Sequence, residues 1–180
     1  DLKSIRPVIL GAVVRGVNID EDAIKRLMDH QEKLHFALGR GRKRASIGVH
    51  DLNKVSPPFR VEAVDRNHSF IPLAMEEPMT IQEILEQHPK GIDYAHLLNG
   101  MENVPVILDS NNDVLSFPPI INGEHTTVTT ETRNLFIDVT GLDQRACESA
   151  LMLVCLQLSV MGGKIESVRV ATCEGQEWVL

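Results

Sequence analysis

The chain has 180 residues, 43% of them hydrophobic and 24% charged, an ordinary globular composition with enough length to bury one sizeable core. A formal charge of −7 excludes a protein built on general nucleic-acid affinity, because such affinity rests on Lys and Arg neutralising phosphates; any RNA contact must be local, and DNA is not an expected partner. No membrane segment is expected either, since the most apolar window, ALMLVCLQLSVMGG, is interrupted by Gln157 and stopped by Gly162 and Gly163, short of the ~20 apolar residues that span a bilayer.

One domain over residues 1–180 is the expectation from length. The chain opens on Asp1 in DLKSIRP, with neither an initiator methionine nor a charged-then-apolar leader, and is read as a piece of a longer polypeptide. Cys147, Cys155 and Cys173 are odd in number and lack CxxC spacing, so they are expected to be reduced core residues rather than a disulfide framework.

From Pro7 to Val17, PVILGAVVRGV is rich in β-branched residues and predicts a central strand. In the following NIDEDAIKRLMDHQEKLHFALG, apolar residues recur every three or four positions, acids crowd the first turn after Asp20, and Gly39 marks a helix end. RKRASIGVHDL gives a basic turn running into a short strand, and FRVEAVD adds another after Pro57 and Pro58. Thr80 and Glu83 have capping-box spacing, which predicts a short helix ending near His88, and DYAHLLNG gives another helical turn or two. VPVILDSNNDVLSF has the form of a hairpin about an Asx-rich turn at Ser110 to Asp113. NLFIDVTG is a further strand, Asp143 caps a long helix through Met161, and KIESVRVATC closes as an alternating strand. Strands and helices mix without regular βαβ alternation, so the fold class expected is α+β with mixed, largely antiparallel sheets.

The stretch SFPPIIN raises a separate question. Pro118 and Pro119 remove two backbone donors and fix φ, so they cannot lie within a central strand or a helix. The segment reads as a rigid bend that carries Ser116 and Asn122 on either side of Ile120 and Ile121, as either a pocket wall or a sheet corner.

Other chemistry is sparse. The seven histidines show no metal-ligand spacing, and His30 and His35 point to different helix faces, so no metal site is expected. Most of these histidines read as surface or hydrogen-bonded residues. There is no GxSxG elbow and no P-loop. Arg40, Arg42, Lys43 and Arg44 form the one basic cluster, either a solvated turn or a phosphate contact. Gln31, Glu32 and His35 lie upstream on a polar helix face. Asp138 and Thr140 alternate on one strand face, and the backbone amides at the strand-to-helix turn around Thr140 and Gly141 suit an anion or a developing oxyanion, or simply cap a helix.

Taken together, QEKLH (31 to 35), ASIGVHDLNKV (45 to 55), VPVILDSN (104 to 111), SFPPIINGEH (116 to 125) and TRNLFIDVTG (132 to 141) resemble one family over about residues 5 to 165. It is the editing domain of the beta subunit of phenylalanyl-tRNA synthetase, archaeal and eukaryotic type. The resemblance implies a layered β/β/α domain that hydrolyses tyrosine wrongly esterified to the phenylalanine tRNA, without a metal or cofactor of its own; ATP and magnesium belong to the parent's ligation site. It further implies a cytoplasmic heterotetramer of two alpha and two beta chains, with aminoacylation in the alpha chain and the tyrosine-bearing 3′ end of the tRNA as the domain's substrate.

The matching pocket positions are Gln31, Glu32, Arg42, Ser116, Pro118, Asn122, Asp138, Thr140 and Gly141. By resemblance, Asp138 or Glu32 would accept from the tyrosyl phenol or hold the substrate ammonium. Thr140, Ser116 and Asn122 would orient water and ester, and Arg42 would meet RNA phosphate. One departure is Leu142, where the family pattern leads one to expect threonine; ATCEGQEWVL carries no recognised motif. The competing readings are a non-catalytic structural or tRNA-docking module and, more distantly, a free-standing trans-editing protein.

Overall fold

The computed structural model describes residues 5–172, 175 and 177–179; the expectation for Cys173 falls outside them. In chain order the elements are β1 (Val8–Arg15), α1 (Glu21–Phe36), β2 (Ala45–Asp51), β3 (Arg60–Val64), β4 (Ser69–Phe70), β5 (Met79–Thr80), α2 (Ile81–Gln87) and α3 (Pro89–Tyr94). They continue with β6 (Val104–Leu108), β7 (Val114–Phe117), β8 (Ile121–Asn122), β9 (Asn134–Gly141), α4 (Gln144–Val160), β10 (Lys164–Ser167), β11 (Arg169–Ala171) and β12 (Glu177–Val179). Every ladder between these strands is antiparallel, which is the α+β class the sequence predicts. No helix among the described residues is long and apolar enough to cross a membrane.

The elements gather into two compact units. The first comprises Pro7–Asn53 and Val128–Leu180. Its sheet has the order β10-β1-β9-β2, so β1 is central, as its β-branched run predicts. Alternation sends Leu10, Ala12 and Val14 of β1, Ile47 and Val49 of β2, and Leu135, Ile137 and Val139 of β9 into one core, packed against Leu27 of α1 and Cys147, Ala150, Val154 and Leu158 of α4. Asp20 caps α1 by accepting from Ala23 N at 2.7 Å, and Asp143 caps α4 by accepting from Ala146 N at 2.8 Å. Cys147 and Cys155 are free and buried, and burial pushes the Cys155 thiol up to about 11. The closing strand predicted over KIESVRVATC is instead two: β10 pairs with β1, whereas β11 leaves that sheet to pair with β12.

The second unit comprises Asp1–Arg6 and Lys54–Thr127. Its main sheet has the order β3-β6-β7-β8. Val104, Val106 and Leu108 alternate inward from β6 to meet Ile81, Ile84 and Leu85 of α2, with Phe117 and Ile120 beside them. The predicted capping box is present at α2, with Thr80 and Glu83 bonding each other's backbone N–H. Asp109 builds the Asx turn between β6 and β7: its Oδ1 accepts from the amides of Asn111 and Asp113.

Candidate functional site

The second face of the first unit's sheet is buried yet polar. On β9 it presents Phe136, Asp138 and Thr140, and on β2 it presents His50, Gly48 and Ser46; the register sets Ser46 opposite Thr140, Gly48 opposite Asp138 and His50 opposite Phe136. Asp138, Thr140, Ser46 and His50 are each 5% exposed or less. Buried polar side chains persist only when partnered, because desolvation without a hydrogen bond is costly. Partners are found across the strands. The Ser46 and Thr140 hydroxyls are 3.1 Å apart, and His50 Nε2 lies 2.7 Å from Asp138 Oδ2. A carboxylate only accepts, so in that state of Asp138 the His50 Nε2 carries the hydrogen and donates.

This diagonal bond needs an empty position between its partners. A β-carbon on Gly48 would stand 2.0 Å from Asp138 Oδ2 and 2.6 Å from His50 Nε2. The Phe136 ring stacks on the imidazole at a centroid distance of 6.0 Å and an interplanar angle of 27°. His50 is the residue that sequence reasoning missed. Its signal was the same alternation that singled out Asp138 and Thr140, since in ASIGVHD the residues Ser46, Gly48 and His50 share one strand face.

Gln31, Glu32 and Arg42 support the edge of the same sheet. β2 is an edge strand, so its outward backbone groups need partners. Gln31 Nε2 donates to Ile47 O at 2.7 Å, and His35, one helical turn on, accepts from Ile47 N at its Nε2 at 2.8 Å. That bond fixes the tautomer with hydrogen on Nδ1, which faces Glu32 Oε1 at 3.5 Å. Burial holds the His35 pKa below the usual histidine range, opposed by its bond to Glu32.

Of the four basic residues after α1, Arg40, Lys43 and Arg44 are exposed as a solvated turn would be, but Arg42 is not. Its backbone adopts φ +68°, the side chain folds inward to 6% exposure, and Nη2 donates to Glu32 Oε1 at 2.7 Å. Where the resemblance led one to expect a phosphate contact, the guanidinium turns inward and satisfies a half-exposed carboxylate.

Gly141, buried at the end of β9, allows close approach of backbone, since a β-carbon there would meet Arg44 O at 2.0 Å. That carbonyl accepts from the amides of Leu142 and Asp143. The donors expected to await an anion at this turn are thus already engaged. Leu142 itself is 47% exposed.

The remaining three predicted residues belong to the second unit. Ser116 and Asn122 stand directly opposite in the β7–β8 ladder, with Ser116 Oγ donating to Asn122 Oδ1 at 3.3 Å. Pro118 and Pro119 make the tight connection between them, closed by Ile120 N donating to Phe117 O at 2.7 Å. The proline bend is thus the turn of a hairpin. Among the described residues no group of three or more His, Cys, Asp or Glu side chains is placed to hold a metal ion.

Residues 6–153 match the model of the B3/4 domain family. The chain is 54% identical over 180 residues to the phenylalanine–tRNA ligase beta subunit of Methanosarcina acetivorans and 52% identical over 178 residues to that of Methanococcoides burtonii, covering 100% and 99% of this chain and 33% of each relative. It therefore spans about one third of the length of these curated relatives. A crystal structure of an N-terminal fragment of the phenylalanyl-tRNA synthetase beta subunit from Pyrococcus horikoshii superposes with a TM-score of 0.95 at 42% identity, over 99% of this chain and 51% of that one.

Proposed function

Because this chain belongs to the B3/4 domain family, we propose that it acts as the editing domain of a phenylalanine–tRNA ligase beta chain. In this reading it hydrolyses the ester of tyrosine mistakenly attached to the phenylalanine tRNA. Water attacks the ester carbonyl, the bond to the ribose oxygen breaks, that oxygen takes one of the water's protons, and the amino acid leaves as its carboxylate with the other proton released to solvent. The parent is a cytoplasmic assembly of two alpha and two beta chains, and ligation with ATP and magnesium takes place in its alpha chains.

The observation that carries the reading is the buried polar face on which Asp138 and Thr140 stand beside Ser46 and His50. An apolar synthetic pocket rejects an added hydroxyl poorly, so a phenylalanine site admits some tyrosine and a second site must invert the preference. A buried carboxylate does so, because its second oxygen accepts from the phenol of tyrosine and is left without that partner against phenylalanine. Asp138 takes that role, Thr140 orients the ester and water, and the half-exposed Glu32 holds the substrate ammonium. Gln31, Arg42 and Gly141 keep the supporting edge in place, while Ser116, Pro118 and Asn122 form a second group tested separately.

The test is the hydrolysis of tyrosyl- against phenylalanyl-tRNA(Phe) by the assembled ligase, beside Asp138→Ala and Thr140→Ala. Selective loss of the tyrosyl ester, abolished by both substitutions, is expected. A non-catalytic tRNA-docking module is the second reading, favoured by the exposed Leu142 where the family resemblance leads one to expect threonine, and would leave both esters intact while tRNA still binds.

A further inference from the structure

We infer that His50 is the positioning residue that sets the specificity of the site, acting through Asp138; this rests on the editing reading above. Asp138 carries the discrimination only if its carboxylate is aimed. An aspartate side chain has a soft terminal torsion, and at 2% exposure it has little water to hold it. The hydrogen bond from His50 Nε2 to Oδ2, at 2.7 Å, supplies that restraint, and it is the one hydrogen bond to the Asp138 side chain among the described residues. Oδ2 thereby already accepts one bond, and Oδ1, which accepts none among the described residues, is the oxygen offered to a substrate hydroxyl.

The surroundings are shaped for this bond. Gly48 leaves open the space through which imidazole and carboxylate meet. Phe136 lies against the ring face, restricting it to the plane in which Nε2 points at Oδ2. Ser46 and Thr140 join the same two strands two register pairs along from Gly48 and Asp138, on the same face, fixing the strand separation on which the diagonal distance depends. A histidine needed only to fill the core would require neither an unoccupied glycine position opposite the carboxylate nor a donor directed at one oxygen.

Glutamine can present a donor near the position of Nε2, whereas asparagine is too short to reach it, and both keep a polar side chain at the site. In the assembled ligase, kcat and KM for deacylation of tyrosyl- and phenylalanyl-tRNA(Phe) are measured for the wild type, His50→Gln, His50→Asn, Asp138→Asn and the His50→Asn/Asp138→Asn double variant. Aminoacylation serves as the check on assembly. His50→Asn is expected to lower kcat/KM on the tyrosyl ester by about 10–100-fold, the size of losing one charge-assisted hydrogen bond, and to change the phenylalanyl ester much less. His50→Gln is expected to recover most of the loss, and His50→Asn to add nothing to Asp138→Asn.

Equal falls on both esters, an unchanged tyrosine preference in His50→Asn, or additive losses in the double variant would overturn the role of His50 and leave editing standing. A wild type without tyrosine-selective hydrolysis would overturn both.

Discussion

Gly48 has no side chain where the carboxylate of Asp138 lies: a β-carbon there would stand 2.0 Å from Oδ2. A strand interior usually disfavours glycine, which brings flexibility and nothing to pack. Here the missing methyl is what lets two buried, oppositely disposed polar groups meet. Gly48→Ala is expected to force Asp138 and His50 apart, lowering stability by about 1–3 kcal/mol as overpacking of a filled core does. Its tyrosyl deacylation should fall at least as far as in His50→Asn. Chemical denaturation and the deacylation assay measure the two effects; an unperturbed variant would mean that the slot is dispensable.

Ser46 and Thr140 offer a milder substitution at the neighbouring pair. Thr140→Val keeps the volume and removes the hydroxyl that lies 3.1 Å from Ser46 Oγ. A cost of about 1 kcal/mol is expected for one net hydrogen bond. Under the editing proposal the loss of deacylation should exceed what that stability change produces, so activity is to be compared at a temperature well below the unfolding midpoint of both proteins.

Arg42 separates support from RNA contact. Its guanidinium is buried against Glu32, so Arg42→Ala should cost about 1–3 kcal/mol of stability through the broken charge-assisted bond and lost packing. The salt dependence of tRNA affinity should stay unchanged. Substituting exposed Arg40 or Lys43 should do the reverse if either meets a phosphate, sparing stability and flattening the slope of log affinity against log salt by about 1 per contact. Affinities measured over a series of salt concentrations decide the matter, and a flattened slope in Arg42→Ala would return Arg42 to the phosphate role that its sequence position suggests.

His35 gives a pH dependence whose sign is fixed by geometry. Burial lowers its folded-state pKa from 6.5, and the neutral form accepts from Ile47 N. Above pH 6.5 both folded and unfolded states are neutral there, so the full contribution is present. As pH falls below 6.5 the unfolded chain takes up the proton first, and stability declines until the folded-state pKa is passed. The stability advantage of the wild type over His35→Gln should therefore shrink as the pH falls below 6.5. An advantage that grows on acidification would show that His35 is charged in the folded protein.

How much of this was readable beforehand follows from the range of each interaction. Asp20, Asp143 and the Thr80–Glu83 box act within one helical turn, so their helices were legible locally. The strands of the β6–β7 hairpin were legible for the same reason. Two-residue strands such as β4 and β5 carry too few residues to show a period, and nothing local tells Val168 to separate β10 from β11. The polar pairs depend on register between β2 and β9, which no short window contains; alternation places Asp138 and Thr140 on one face of β9 and Ser46 and His50 on one face of β2, but which residue meets which was fixed only once the strands were aligned. The inward turn of Arg42 was not legible because a run of basic residues at a helix end gives no local sign of direction, whereas positive φ at Arg40, Gly41 and Arg42 turns one of them inward.

The sheet order has a consequence for synthesis. β1 is flanked by β10 and β9, strands more than a hundred residues later in the sequence, so no neighbour in its sheet exists until Asn134 onward has been made. Emerging from the ribosome, β1 must wait with apolar edges unpaired while Lys54–Thr127, an almost contiguous stretch with its own core, is translated and free to fold. The expected order of events is thus insert before host. A nascent chain released just before β9 would hold a structured middle and an unprotected first strand, the species from which aggregation should start.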